Sequence, residues 1–116
     1  MRIDILTLFP DAVEASLKIS ILGRAEKKGI LDIHAVQIRD YTENKQQQVD
    51  DYPYGGGWGC VMMAQPLKSC LDDVCAKAGE KRRRVIYMSP QGKTFDQSCA
   101  RRLAAVSYTH LTLPTI

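Results

Sequence analysis

The sequence has few of the residues that build metal sites. It holds two histidines, His34 and His110, and four cysteines, Cys60, Cys70, Cys75 and Cys99, with no Cys-x-x-Cys pair. That spacing signals neither a zinc site nor a disulfide framework, so the cysteines read as reduced thiols, three of them packing as small apolar side chains. No apolar run approaches the ~20 residues a membrane span needs. The start, MRIDILTLFP, sets one Arg directly before an acidic, alternating segment, unlike a signal peptide. The expected compartment is the cytoplasm, with no membrane partner. Neither sign of charge dominates, since 16 Lys and Arg stand against 13 Asp and Glu. The resulting +3 permits a polyanionic partner without requiring one. With 45% hydrophobic and 25% charged residues, collagen, disordered tails and disulfide miniproteins are excluded, and the 116 residues suffice for one domain with a core.

Arg2 to Phe9 alternates Ile3, Ile5 and then Leu6, Leu8 and Phe9, and Pro10 closes the run, which predicts a largely buried strand. Asp11 with Glu14 resembles a capping box. Val13, Leu17, Ile21, Leu22 and Ala25 then share a helical face as far as Lys27, Lys28 and Gly29, which predicts one helix over 11–28. Leu31, Ile33, Ala35, Val36 and Ile38 predict a second strand, parallel to the first through a right-handed crossover. After Pro66, the series Leu67, Cys70, Leu71, Val74, Cys75 and Ala78 predicts a helix ending at Gly79. Val85, Ile86, Tyr87 and Met88 form a short buried-strand signature. Thr94 with Gln97 resembles a second capping box, opening a helix that buries Phe95, Cys99 and Leu103. The order β-α-β, loop, α-β-α predicts an α/β three-layer sandwich with a mostly parallel sheet.

The last stretch breaks this consistency. Residues 106–116, VSYTHLTLPTI, carry no Asp, Glu, Lys or Arg, and their Thr-rich, Pro-interrupted composition does not continue the helix. The string resembles one found at the ends of unrelated conceptual translations, where adaptor or vector DNA has been read as protein. Native sequence is therefore expected over 1–105, with a non-native tail over 106–116.

Two glycine-bearing turns are candidates for ligand binding. Tyr54-Gly55-Gly56-Gly57-Trp58-Gly59 allows positive φ angles and close approach of backbone N–H groups, and reads equally as a flexible turn. It is no dinucleotide fingerprint, because Cys60 stands where the third glycine should fall. The preceding Asp50-Asp51-Tyr52-Pro53 adds acids and stackable aromatics suited to a heterocyclic base. Adjacent carboxylates on extended chain point to opposite sides, so Asp50 and Asp51 are a poor catalytic pair, and one of them is expected to order the glycine loop. Trp58, alone among glycines, reads as a surface contact. The second turn, Ser89-Pro90-Gln91-Gly92-Lys93-Thr94, ends like a phosphate-binding P-loop, but Tyr87 occupies the place of that motif's first glycine. A site at the end of a strand remains, where α/β sheets bind small molecules. The basic groups at 81–84 and Arg101-Arg102 read as a solvated face or as contacts to RNA phosphates.

Together RIDILTLFP, GRAEKKGIL, IRDYT, VDDYPYGGGWG with Met62, and SPQGKTF resemble, in order and spacing, the bacterial tRNA (guanine-N1)-methyltransferases. Cys60 stands where Met is usual in that family, and Trp58 takes a variable position. The resemblance implies an S-adenosylmethionine-dependent enzyme of the SPOUT class, a trefoil-knotted homodimer that methylates the guanine 3′ of the anticodon in tRNA. It implies that Tyr87, Met88, Ser89, Pro90, Gln91 and Gly92 form the first cofactor-binding loop. Asp51, Tyr54, Gly55, Gly56, Gly57 and Gly59 would lie where methyl donor and guanine meet. It also implies that the remaining cofactor loops, the strands that close the knot, an arginine, the catalytic aspartate and the RNA-binding domain belong beyond Ala105. The domain is therefore expected to be incomplete, poorly folded alone and inactive as this fragment. A non-catalytic tRNA-binding module is the alternative.

Overall fold

A computed structural model describes residues 1–53, 55–79, 83–104 and the backbone of 108–112. Strand β1 (Arg2–Thr7) leads through helices α1 (Pro10–Leu17) and α2 (Ser20–Lys27) to strand β2 (Asp32–Gln37). The two strands run parallel from Arg2 opposite Asp32 to Thr7 opposite Gln37, as a β-α-β crossover requires. A 3₁₀ turn (Ile38–Tyr41) opens the long connection, which contains the two-residue strands β3 (Asp50–Asp51) and β4 (Val61–Met62). Helix α3 (Ala64–Ala78), strand β5 (Arg84–Tyr87), helix α4 (Gln97–Ala104) and strand β6 (Tyr108–Thr112) follow. The main sheet has the order β2-β1-β6-β5, with every neighbouring pair parallel.

The core lies where β1 meets α3. Leu6, Ile38, Cys70 and Val74 are buried together, with Val36, Leu67 and Leu71 packed against them. The helical spacing of Leu67, Cys70, Leu71 and Val74 puts all four on the face of α3 turned toward the sheet. Ile5 and Ile33 are also buried. They alternate with Leu6 and Val36 and so belong to the opposite face of the sheet, and α1 packs along β2. Asp4 is buried too and is held by the Arg2 guanidinium, with Nε 3.1 Å from Oδ2.

The helix expected over 11–28 is two helices. Lys18 caps the first, Ser20 takes a φ of +60°, and the chain turns before α2 begins. Gly23 permits this tight turn, since a Cβ there would lie 2.2 Å from the Lys18 carbonyl oxygen. Capping also differs. Phe9 is the N-cap of α1 with Pro10 starting the helix, and Asp11 sits inside the first turn, where its charge still suits the helix dipole. Replacing Gly23 by Ala is expected to cost about 1–3 kcal/mol in urea unfolding, because a backbone atom must move to admit the methyl group. An unchanged midpoint would show that the α1–α2 break does not depend on that contact.

Further expectations change. Val85 and Tyr87 are exposed rather than buried, since β5 is an edge strand whose sides alternate between cover and solvent. Phe95 is 65% exposed and precedes α4, and Cys99 and Leu103 are half-buried. The cap there is Asp96, whose Oδ1 accepts from the Cys99 amide at 2.7 Å, and Thr94 lies outside the helix. Of the four cysteines only Cys70 is buried, and burial pushes its thiol pKa up to about 12. No helix among the described residues is long and apolar enough to cross a membrane.

Candidate active site

The connection from Ile38 to Gln65 is tied down by nested contacts. The Arg39 guanidinium donates to the Gln47 carbonyl at 3.1 Å. Val49 is buried, and its carbonyl accepts from the Met63 amide. Asp50 then pairs with Met62 and Asp51 with Val61, making an antiparallel ribbon. The apolar period vanished here because the segment is held by backbone pairing and a single buried valine rather than by a repeating face.

The glycine loop caps this ribbon. Gly55, Gly56, Gly57 and Gly59 have φ values of +83°, +79°, +129° and +93°. A Cβ at any of them would meet nothing within 4 Å, so left-handed backbone rather than crowding demands glycine. Trp58 projects fully into solvent, as its isolation among glycines indicated. Tyr54 lies outside the described residues. Asp51 is exposed and its Oδ1 accepts from the Tyr52 amide at 2.7 Å. Asp50 hydrogen-bonds the Cys60 side chain and raises the thiol pKa, which argues against Cys60 as a nucleophile. The two carboxylates thus have separate tasks, one at each end of the glycine loop. Beside the ribbon is a groove of about 360 Å³ to which Asp51, Tyr52, Met62 and Gln65 contribute. That volume suits a small ligand group.

The second candidate turn follows β5. Gly92 N–H donates to the Ser89 carbonyl at 3.1 Å and Gln91 N–H to Ser89 Oγ at 3.2 Å, so the turn is internally closed. A Cβ on Gly92 would sit 3.2 Å from the Ser89 carbonyl oxygen, a close approach that favours glycine. Tyr87 and Met88 are exposed at its entrance. The residues from Tyr87 to Gly92 carry no formal charge, and Tyr87 and Met88 expose apolar surface, which suits one wall of a small-molecule site. The P-loop alternative fails on position, since α4 begins only at Gln97 and Gly-Lys-Thr does not open a helix.

Parallel strands place the ends of β2 and β5 at the same carboxyl edge of the sheet, so both candidate segments begin on that side. They do not begin side by side. β2 and β5 are the outer strands, three strand spacings or roughly 14 Å apart. Arg83, Arg101 and Arg102 are exposed, and positions 81 and 82 lie outside the described residues. Among the described residues no group of three or more His, Cys, Asp or Glu gathers as a metal set.

One polar cluster lies outside both candidate turns and leaves no motif in the sequence. Tyr41 Oη donates to Asp73 Oδ2 at 2.5 Å, and Lys77 Nζ lies 2.8 Å from the same carboxylate oxygen. Lys77 and Tyr41 both stabilise the charged carboxylate and lower the Asp73 pKa, while that bond and burial raise the Tyr41 pKa above its usual value. The phenol is therefore expected to ionise above the ordinary tyrosine range. The sign follows. Because folding raises the Tyr41 pKa, its contribution to stability is complete below the ordinary phenol range near 10 and is lost as pH rises toward the higher folded value. A tyrosinate absorbance titration checks this, and loss of the late step in Tyr41→Phe assigns it.

Comparison with known proteins bears on the family. The family model for tRNA (Guanine-1)-methyltransferase TrmD matches residues 1–113. The tRNA (guanine-N(1)-)-methyltransferase of Clostridium kluyveri is 48% identical over 105 residues, which is 90% of this chain and 41% of the relative. That of Lachnospira eligens is 50% identical over 104 residues, 90% of this chain and 44% of the relative. Among solved structures, the tRNA (m1G37) methyltransferase from Aquifex aeolicus matches with a TM-score of 0.84 and 26% identity over 97% of this chain and 50% of that one. The chain thus spans less than half the length of these curated relatives.

Proposed function

Because the chain belongs to the tRNA (guanine-1)-methyltransferase family, we propose that the protein it represents methylates N1 of the guanine 3′ of the anticodon in tRNA, using S-adenosylmethionine. The observation that carries this reading is the family match through residue 113, which includes both the glycine loop and the turn after β5. When bound, S-adenosylmethionine supplies an electrophilic methyl group on a sulfonium sulfur. Tyr87, Met88, Ser89, Pro90, Gln91 and Gly92 form the first wall that holds it. Asp51, Tyr54 and the glycines at 55, 56, 57 and 59 receive the guanine, whose N1 has to reach about 3 Å from the methyl carbon. The glycine loop suits an extruded base because its backbone is exposed and free of side-chain cover, and unstacked bases are the readable ones in RNA. Loss of the N1 proton needs a general base, which the resemblance assigns to an aspartate beyond Ala105. The protein would act as a cytoplasmic homodimer, and the 116-residue chain by itself would be inactive.

The boundary near Ala105 belongs to the same proposal. What supports it is the uncharged, Thr-rich composition of 106–116, while the family match runs to residue 113. Finding VSYTHLTLPTI encoded in frame at the source locus would overturn it.

A filter-binding titration of the chain on unmodified tRNA, with and without S-adenosylmethionine, separates the enzyme reading from a non-catalytic binding module. Half of a cofactor-dependent site predicts weak RNA retention without cofactor. Tight, steeply salt-dependent, cofactor-independent retention would favour the module, in which exposed Arg83, Arg101 and Arg102 contact phosphates.

A further inference from the structure

The 3₁₀ turn from Ile38 to Tyr41 and the first turn of α3 form the neck of the long connection. At that neck the Gln65 side-chain amide donates to the Tyr41 carbonyl at 2.9 Å, while Tyr41 Oη reaches Asp73 farther along α3. Tyr41 is thus gripped at both its backbone and its side chain. The side chain also packs against the buried cluster of Leu6, Ile38, Cys70 and Val74. Lys77 orients the Asp73 carboxylate from the next helical turn. The ribbon and the glycine loop lie between the two ends of this neck, and beyond it the buried Val49 is their next anchor.

We propose that Tyr41 is a positioning residue that clasps the neck of the glycine-loop segment to α3 and sets where Asp51 and Gly55–Gly59 stand. That the segment receives the guanine rests on the function proposed above. The clasp itself is a property of the chain without RNA. Its physical basis is leverage. A connection of more than twenty residues keeps many conformations unless its ends are fixed, and a hydrogen bond to an ionised carboxylate is among the stronger ways to fix one. Gln65 has a second role, since it also lines the groove beside Asp51, so the same residue joins the neck to the candidate site.

The test is amide hydrogen exchange on the 116-residue chain, with the anisotropy of Trp58, the single tryptophan, as a second readout. Tyr41→Phe removes only the hydroxyl. It is expected to speed exchange at Met63, whose amide closes the ribbon onto Val49, by about tenfold, as suits loss of one charge-assisted hydrogen bond. It should also lower Trp58 anisotropy while exchange at Ile5 and Leu6 stays as before. Asp73→Ala should match it, Asp73→Asn should restore most of the protection by keeping an acceptor, and Tyr41→Phe with Asp73→Ala should add nothing to either. Unchanged exchange at Met63, equal acceleration at Met63, Ile5 and Leu6, or an unprotected Met63 in the unaltered chain would each overturn the proposal. Because no RNA is present, its failure is distinct from failure of the methyl-transfer reading.

Discussion

Deleting residues 105–116 is expected to release β5 from the sheet. β6 is the only strand with which β5 pairs among the described residues, in the register Arg84–Thr109 to Tyr87–Thr112. These four residues of β6, together with Tyr108, also pair with β1 on the other side. Removing them breaks two ladders and separates β5, with the turn that follows it, from the rest of the sheet. The amides of Val85, Ile86 and Tyr87 should then exchange at close to unprotected rates, while β1 keeps its pairing with β2 and its contacts with α3. Retained protection in β5 would show that the turn from Tyr87 to Gly92 has some other anchor. The consequence bears on function, because the proposed first cofactor wall is held in place by backbone pairing to a strand in the segment read as foreign. A central parallel strand is held largely through its main chain, and the Tyr and Thr of this segment favour extended structure.

Leu6→Ala should have the largest effect of any single core change. Leu6 is fully buried between β2 and α3 and meets Ile38, Cys70 and Val74. Truncation removes three carbons and leaves a void that neighbours on a sheet cannot readily fill, at a cost of about 2–5 kcal/mol. Typical domains have only about 5–15 kcal/mol in total. The urea midpoint should fall sharply with little change in slope. A loss below about 1 kcal/mol would mean that the β1–α3 contact is not the main source of cohesion.

These residues also show what could be read from the sequence. The alternation at Ile3, Ile5 and Leu6 and the spacing of Leu67, Cys70, Leu71 and Val74 each record burial against one neighbour, so β1 and α3 were legible from periodicity. The break between α1 and α2 was not, because it depends on the Lys18 carbonyl lying over Gly23, and a glycine inside a helical pattern does not reveal what approaches it. Exposure of Val85 and Tyr87 was hidden for a similar reason. Strand order decides whether an apolar run is central or at an edge, and local pattern does not carry strand order. β6 has a Tyr-Thr-His-Leu-Thr composition that suits a strand, but five such residues carry no signal of the two neighbours they pair with.

At the candidate site, glycine content and the Asp-Asp-Tyr-Pro lead identified the loop, and the structure accounts for four of its glycines through positive φ. The Tyr41–Asp73–Lys77 cluster was invisible because Tyr41 and Asp73 are 32 residues apart and meet only when the 3₁₀ turn packs on α3. The signal available was the i, i+4 pair Asp73 and Lys77 on α3, which by itself reads as ordinary surface charge.

The most direct measurement is methyl transfer from labelled S-adenosylmethionine to an unmodified tRNA transcript, mapped by primer extension, because a methyl group on guanine N1 blocks Watson–Crick pairing and stops the polymerase. The assay compares the 116-residue chain with the protein encoded when the source gene is read through the codon for Ala105. The expected result is label and a stop at the guanine 3′ of the anticodon with the longer protein, and neither with the 116-residue chain. Turnover by the short chain, or no modification at that guanine by the longer one, would contradict the account.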